Sequence, residues 1–574
     1  MKKRKIKVFE YVKGLKIKGI LAPLFKLFEA ILELLIPLII ADIIDNGIKN
    51  NDKNYIVVRF LFLVILAFVG FGFSITAQYF SSSVASKYSC RIRKGLFSHV
   101  QTLSFKELDG LGTSTLLTRI TNDTNQIQTG VNMFLRLFLR SPFIVLGALV
   151  MAFIVDYQIS LIFLGVIIIL SLIVVLIMKY TLPKYRKIQF SLDEVTRETK
   201  ENLTGVRVIR AFTGEEKQVE DFNQKNEKNT KLQIFVSKVS SLMNPLTYLI
   251  INIGIILILY FGGIKVNTGS LTNGQVIALY NYINYILVEL IKFANLVITI
   301  TKSIASLKRV EQIFNVEPSL NFEERKQVEG PYLQFDNVSF KYNENGQEAL
   351  KNISFSLKKN QTLGIIGGTG SGKSTLINLL GHNYDPTSGR IILDGYPLDS
   401  YNLATLRNKI GYVPQKAVLF EGTIRSNLLW GNKNAKEEDL LEALKISQSL
   451  DIVNAKEKGL DEKVEQGGRN FSGGQKQRLT IARALVKKPE ILVLDDSSSA
   501  LDFKTDKELR GALSKLKNMT VVIISQRTSS LLDCDQILVL DRGELISKGT
   551  HEELMKSCLL YQEIHYTQFE KGDK

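Results

Sequence analysis

The sequence runs to 574 residues, too long for one ordinary domain and suited to two or three. Its 45% hydrophobic content is ordinary as a mean, but most long apolar runs fall before residue 310 and the remainder reads as α/β. The formal charge of +17 would suit a nucleic-acid binder, yet no reader motif accompanies it, and nucleic acid is excluded as a partner.

Eight Lys/Arg fall in the first eighteen residues (Lys2, Lys3, Arg4, Lys5, Lys7, Lys13, Lys16 and Lys18), directly ahead of an apolar run. That is the pattern of a segment held at the cytoplasmic face of a membrane. Residues 1–19 read as an amphipathic cytoplasmic helix along the inner leaflet, and no cleavable signal is evident. Six stretches then suit a bilayer crossing, which needs about 20 mostly apolar residues. They run near 20–44, 57–84, 133–155, 158–182, 240–265 and 275–303 within a membrane domain placed at 20–310. The fourth carries no charge through ISLIFLGVIIILSLIVVLIM, whereas the first contains Lys26, Glu29, Glu33 and Asp42.

The intervals alternate between short links (45–56, 156–157, 266–274) and long polar segments (85–132, 183–239). Lys and Arg crowd the long segments, and the short links hold only Lys49 and Lys53, with Lys265 at the edge of the third. The positive-inside rule therefore places the long segments in the cytoplasm. Their apolar residues recur at helical intervals with few breakers. Helices continuing past the bilayer, joined by cross-helices near Phe105–Ser114 and Arg210–Phe222, would carry motion between an ATPase and the membrane. A solvated helix pair with no docking role fits the spacing equally well. Cys90, Cys534 and Cys558 match no metal-ligand spacing and read as reduced bystanders.

Charges inside a bilayer must line a cavity or pair with one another. Glu29 and Glu33 share a helical face with Lys26 one turn before, and Glu289 lies near Lys292. They read either as structural pairs or as a cation-selecting cavity.

After a linker at 311–330, residues 331–574 change to short β-branched runs alternating with helices, the signature of a mostly parallel sheet. LGIIG (363–367) reads as a buried strand, and GGTGSGKST follows. In this phosphate loop Gly367, Gly368, Gly370, Ser371, Gly372 and Thr375 frame backbone N–H groups turned toward phosphates. Lys373 supplies positive charge, and Ser374 a hydroxyl for Mg²⁺. A second strand, ILVLD (491–495), ends in Asp495, placed to hold Mg²⁺ beside that loop.

The order Tyr342, phosphate loop, Gln415 in VPQ, SGGQ (472–475), ILVLDD and SALD resembles the ATP-binding cassette family. Six spans ahead of one cassette resemble its exporter branch. The resemblance implies a membrane all-α six-helix exporter domain fused to an α/β P-loop ATPase domain with a helical subdomain. It implies ATP and Mg²⁺ as cofactors, with Tyr342 stacked on adenine and Gln415 sensing the metal and facing the membrane domain. Ser472, Gly474 and Gln475 would contact the γ-phosphate held by an opposite cassette, and Asp502 would lie across the dimer interface.

Two positions depart from the family's usual residues. Asp496 stands where a Glu commonly polarises the attacking water, and Gln526 where a switch His is usual. Asp is one methylene shorter, and misplacement by about 1 Å can cost on the order of a hundredfold in rate. Glutamine can hydrogen-bond a phosphate but gains no proton near neutral pH. This pairing, with VEQGGRNFSGGQ before the signature helix, resembles the degenerate-site half of bacterial heterodimeric multidrug exporters. The resemblance implies a multi-pass protein of a bacterial cytoplasmic membrane, with N-terminus and cassette in the cytoplasm. Its expected partner is a different half-transporter with the usual Glu and His, in preference to a homodimer. Amphipathic small molecules, drugs first, are the expected cargo; export of lipid, peptide or haem and a non-transporting regulatory subunit are the alternatives.

Overall fold

The computed structural model describes residues 8–320, 330–343, 345–516 and 518–568. Lys2, Lys3, Arg4, Lys5, Lys7 and linker residues 321–329 lie outside the described residues. The chain divides into two units, Met1–Gln101 with Thr113–Val316, and Thr102–Gly112 with Glu317–Lys574.

The first half of the chain forms helices α1 (Lys16–Asp42), α2 (Lys53–Val100), α3 (Phe105–Leu111), α4 (Thr113–Thr118), α5 (Thr124–Leu137) and α6 (Arg140–Val155). Then follow α7 (Tyr157–Ala211), α8 (Glu215–Ser241), α9 (Met243–Asn267) and α10 (Asn273–Phe314). All but α3 belong to the first unit. Three of the long helices start on side-chain caps: Asp52 accepts from the Tyr55 N–H, Asp156 from those of Gln158 and Ile159, and Thr272 forms a capping box with Gln275.

Five helical stretches among the described residues are long and apolar enough to cross a bilayer. They are Lys53–Val100, Thr113–Val155, Tyr157–Ala211, Glu215–Asn267 and Asn273–Phe314. The first expected span is the single helix α1, whose Lys and Glu residues dilute its apolar character, and it packs against α2, α6 and α10. At 1.5 Å per residue the 55-residue α7 is roughly 80 Å long, far more than the ~30 Å hydrocarbon core, so it must extend well beyond the bilayer. Large apolar side chains such as Phe60, Phe68, Phe71, Ile168 and Leu172 are exposed on this unit, as a lipid-facing surface requires.

Two local expectations resolve differently. The described part of the 1–19 segment is a 3-10 turn, Val8–Val12, and the first residues of α1, separated by Gly14 in the left-handed region. Arg91 of α2 donates to the Tyr11 and Lys13 carbonyls and pins the turn. No separate cross-helix occupies 210–222. Residues 212–214 make a tight turn between α7 and α8, with Thr213 at φ +52°. Near residue 105 the short helix does form, with Ser104 and Glu107 as its capping box and Gly112 as its stop.

The second unit holds a four-stranded antiparallel sheet and a six-stranded sheet. The order in the latter is Glu544–Gly549, Gln536–Asp541, Thr362–Gly367, Thr520–Ile524, Ile491–Asp495, Ile410–Val413. Only the first of these pairs antiparallel to its neighbour. The parallel strands are apolar on both faces, as burial on both sides demands. Four adjacent parallel strands therefore end side by side, and their carboxyl ends carry the phosphate loop, Gln526, the Asp495–Asp496 pair and Gln415.

Candidate functional site

That alignment is the usual place for a ligand on an open parallel sheet, the crevice beyond the strands' carboxyl ends. Out of Thr362–Gly367 the chain turns through the phosphate loop into the helix Lys373–Leu380. Gly372 sits at φ +100°, and a Cβ there would come within 2.6 Å of Leu350 and 2.8 Å of the Ala349 carbonyl. Only glycine allows this turn. The Lys373 ammonium bridges the loop, donating to the Gly367 and Gly368 carbonyls at 2.9 and 2.7 Å. It lies 3.4 Å from the Ser371 hydroxyl. Burial lowers the Lys373 pKa, opposed by the nearby Asp496 and Asp495 carboxylates. Gly368, Gly370 and Ser374 lie exposed on the loop's lip, while Ser371 and Thr375 are buried.

Tyr342 Oη shares a 3.0 Å hydrogen bond with Thr375 Oγ1, and its ring packs edge-on against Phe340 and Tyr384. With 42% of its surface exposed, this ring lies beside the phosphate loop with area free for a base.

Asp495 and Asp496 are both buried. Asp495 accepts from Tyr412 Oη at 3.0 Å, with Ser374 nearby. Asp496 accepts from Gln415 Nε2 at 3.3 Å, and the Gln526 N–H lies nearby. Asp496 also adopts φ +45°, so its side chain leaves the strand end in a conformation that Asp tolerates better than most residues. Burial raises both carboxyl pKa values. The structure thus brings Lys373, Ser374, Gln415, Asp495, Asp496 and the Gln526 backbone into one site. A hydroxyl, an amide and one or two carboxylates beside a phosphate cradle are donors that suit Mg²⁺, which takes few protein ligands and completes its shell with phosphate and water.

The SGGQ residues bond elsewhere. Ser472 Oγ accepts from the Gln475 N–H at 3.3 Å, and Gln475 Oε1 from the Ser472 N–H at 3.0 Å, a capping box opening the helix Gly473–Val486. Gly474 faces the Ala500 carbonyl, 3.0 Å from where a Cβ would stand. Asp502 caps the helix Phe503–Leu513 by accepting from the Thr505 N–H and hydroxyl at 2.9 and 2.8 Å. These residues form a second surface, bonded locally and exposed at Ser472 and Asp502. Sequence reasoning missed Tyr412. Its only signal was an aromatic in the strand just before VPQ.

In the membrane unit, Arg140 links three helices. It donates to Glu33 and to Glu289, at 2.7 Å each, and Ser141 donates to the other Glu289 oxygen at 2.7 Å. Lys292 bonds Glu289 at 2.8 Å, and Lys26 bonds Glu29 at 2.5 Å. Lys26, Arg140 and Lys292 thus balance Glu29, Glu33 and Glu289, and these carboxylates are paired within the bundle.

Comparison with known proteins gives a consistent match. The profile of the ABC transporter transmembrane region matches residues 20–290, and that of the ABC transporter matches residues 350–499. The chain is 36% identical over 569 residues to the "Uncharacterized ABC transporter ATP-binding protein YfiB" of Bacillus subtilis, covering 98% of each chain. It is 29% identical to the "ATP-dependent lipid A-core flippase" of Photobacterium profundum, over 91% of this chain and 90% of that one. A bacterial Atm1-family ABC exporter solved with ATP bound shares the fold, with TM-score 0.83, 23% identity, and 98% of this chain and 100% of that chain covered.

Proposed function

This chain belongs to the ABC transporter family as an ATP-driven exporter half-transporter, and from that premise we propose that it supplies the degenerate ATP site of a heterodimer. The observation that carries the proposal is the pair Asp496 and Gln526. Both side chains of the usual Glu–His arrangement are replaced, while Lys373 and SGGQ are intact. In this reading the chain holds ATP on its phosphate loop, with Tyr342 against the base and Lys373 swung onto the phosphates. Ser374, Gln415 and Asp495 hold Mg²⁺, which would neutralise charge on the β- and γ-phosphates.

The geometry supports slow chemistry. The Asp496 carboxylate is shorter than a Glu by one methylene and is engaged by Gln415. Gln526 is exposed and cannot become a cation. The signature surface is capped, exposed and free of its own phosphate loop's bonds, as suits a helix N-terminus offered to another chain's anion.

The cargo is proposed to be amphipathic, moved across a bacterial cytoplasmic membrane. The balanced charges on α1, α6 and α10 favour the structural reading of Glu33 and Glu289 over selection of a cationic substrate. Lipid export is the second reading, favoured by the relative named as a lipid A-core flippase. The test is ATP turnover by the chain purified alone and verified as a homodimer, against turnover with a partner carrying the usual Glu and His. Very slow turnover alone and brisk turnover together is the expected result; brisk hydrolysis by the homodimer would sink the proposal.

A further inference from the structure

The segment after strand Thr520–Ile524 is held from outside the nucleotide site. Its Ser525–Gln526–Arg527–Thr528 stretch meets Gln568, just past the helix Leu559–Tyr566. Gln568 Nε2 donates to the Gln526 carbonyl at 2.7 Å. Gln568 Oε1 accepts from the Thr528 N–H at 2.9 Å and lies 3.3 Å from the Thr528 hydroxyl. That hydroxyl also shares a 2.9 Å hydrogen bond with His565 Nδ1. The orientation of the Gln568 amide follows from its partners, because a carbonyl needs the NH₂ and an N–H needs the oxygen. One side-chain amide thus clasps two backbone groups of the loop, much as a neighbouring strand would.

On the inner side, the Gln526 N–H lies near the Asp496 carboxyl. Gln568 thus holds the carbonyl of residue 526, and with it the point from which the exposed Gln526 side chain leaves the backbone. Thr528 is fully buried, so a lost partner there leaves a polar group unsatisfied.

We propose that Gln568, backed by His565, is a positioning residue for the ATP site: it holds the loop that aims Gln526, and through that loop sets how long nucleotide stays bound. The inference rests on the reading above that Gln526 stands at the switch-His position of the ATP site. Neither residue touches nucleotide in this account; both act through the backbone at 526 and 528.

The test uses the full chain in its assembled transporter, with Gln568→Ala and Gln568→Glu. Alanine removes both bonds. Glutamate keeps the acceptor for the Thr528 N–H but sets a carboxylate oxygen against the Gln526 carbonyl. Gln562→Ala is the control, since that amide bonds the Met555 carbonyl instead. Amide hydrogen exchange in the 520–530 peptide should rise roughly tenfold in both Gln568 variants, with exchange in the phosphate-loop peptide unchanged. ATP residence at this chain's site should shorten by a similar factor, with ATP association unaltered, and Gln562→Ala should do neither. Unchanged exchange, or raised exchange with unchanged residence, overturns the inference. The degenerate-site reading fails separately, if restoring Glu and His at 496 and 526 leaves residence unaltered in the parent chain.

Discussion

Replacing Arg140 with glutamine should loosen the membrane bundle more than any other single charge deletion in its cluster. Arg140 is buried, and its guanidinium joins α6 to Glu33 on α1 and Glu289 on α10 at 2.7 Å each. Without it, Glu289 keeps Lys292 and Ser141, but Glu33 loses the cation that pairs it, and the three cations balancing three anions become two. Breaking a buried ion pair by removing one partner costs on the order of 3–5 kcal/mol, chiefly for the charge left uncompensated. At about 2–4 °C per kcal/mol for a domain of comparable or somewhat smaller size, the apparent midpoint should fall by roughly 10 °C. Glu33→Gln should cost much less, because a third of that side chain is exposed. The assay is thermal unfolding of the detergent-solubilised or nanodisc-embedded transporter, run as a double-mutant cycle with Glu289→Gln. A coupling energy near zero, with the two single losses simply adding, would refute the claim that these side chains form one unit.

Three further outcomes follow from the cassette. Lys373→Ala should weaken nucleotide binding at this chain's site by on the order of tenfold to a hundredfold, measured by titration with a labelled ATP analogue, because charged hydrogen bonds to phosphate are lost. Asp495→Asn should stabilise the nucleotide-free chain at neutral pH yet abolish the extra stability conferred by Mg²⁺ with ATP, both read by thermal shift. The sign follows from burial, which raises the Asp495 pKa. The folded chain then holds that proton more tightly than the unfolded one, so the charged form penalises folding above the usual carboxylate range and the penalty fades as pH falls. Gly474→Asp should damage hydrolysis by the assembled transporter while Asp496→Asn does little; the reverse pattern would mean that the two sites have been exchanged.

Much of the cassette was legible because its chemistry is local. LGIIG followed by GGTGSGKST specifies a buried strand, a turn only glycine can make and a helix start, and the structure places that strand at Thr362–Gly367. ILVLD is the strand Ile491–Asp495 without adjustment. The S-x-x-Q spacing of the signature also spells a capping box, so Ser472 and Gln475 have a structural duty that the functional reading alone did not reveal. What escaped depends on distant residues. Arg140 is 107 residues from Glu33 and 149 from Glu289, and nothing in the local pattern of α6 announces either partner. Gln568 lies 40 residues from Thr528, in a polar tail with no motif. The cross-helix expected at 210–222 failed for a local reason, since Thr213 and Gly214 reverse the chain in a single turn. The charge-diluted α1 was legible as a helix, but its tolerance of Lys26, Glu29 and Glu33 became clear only once their partners were in view.

The central claim is that Asp496 and Gln526 make this chain's ATP site slow. It is tested most directly by single-turnover release of labelled ATP, using a partner disabled at its own catalytic Glu. Comparing the parent chain with Asp496→Glu plus Gln526→His, the account predicts shorter nucleotide residence in the restored chain. Equal release rates from the two would contradict it.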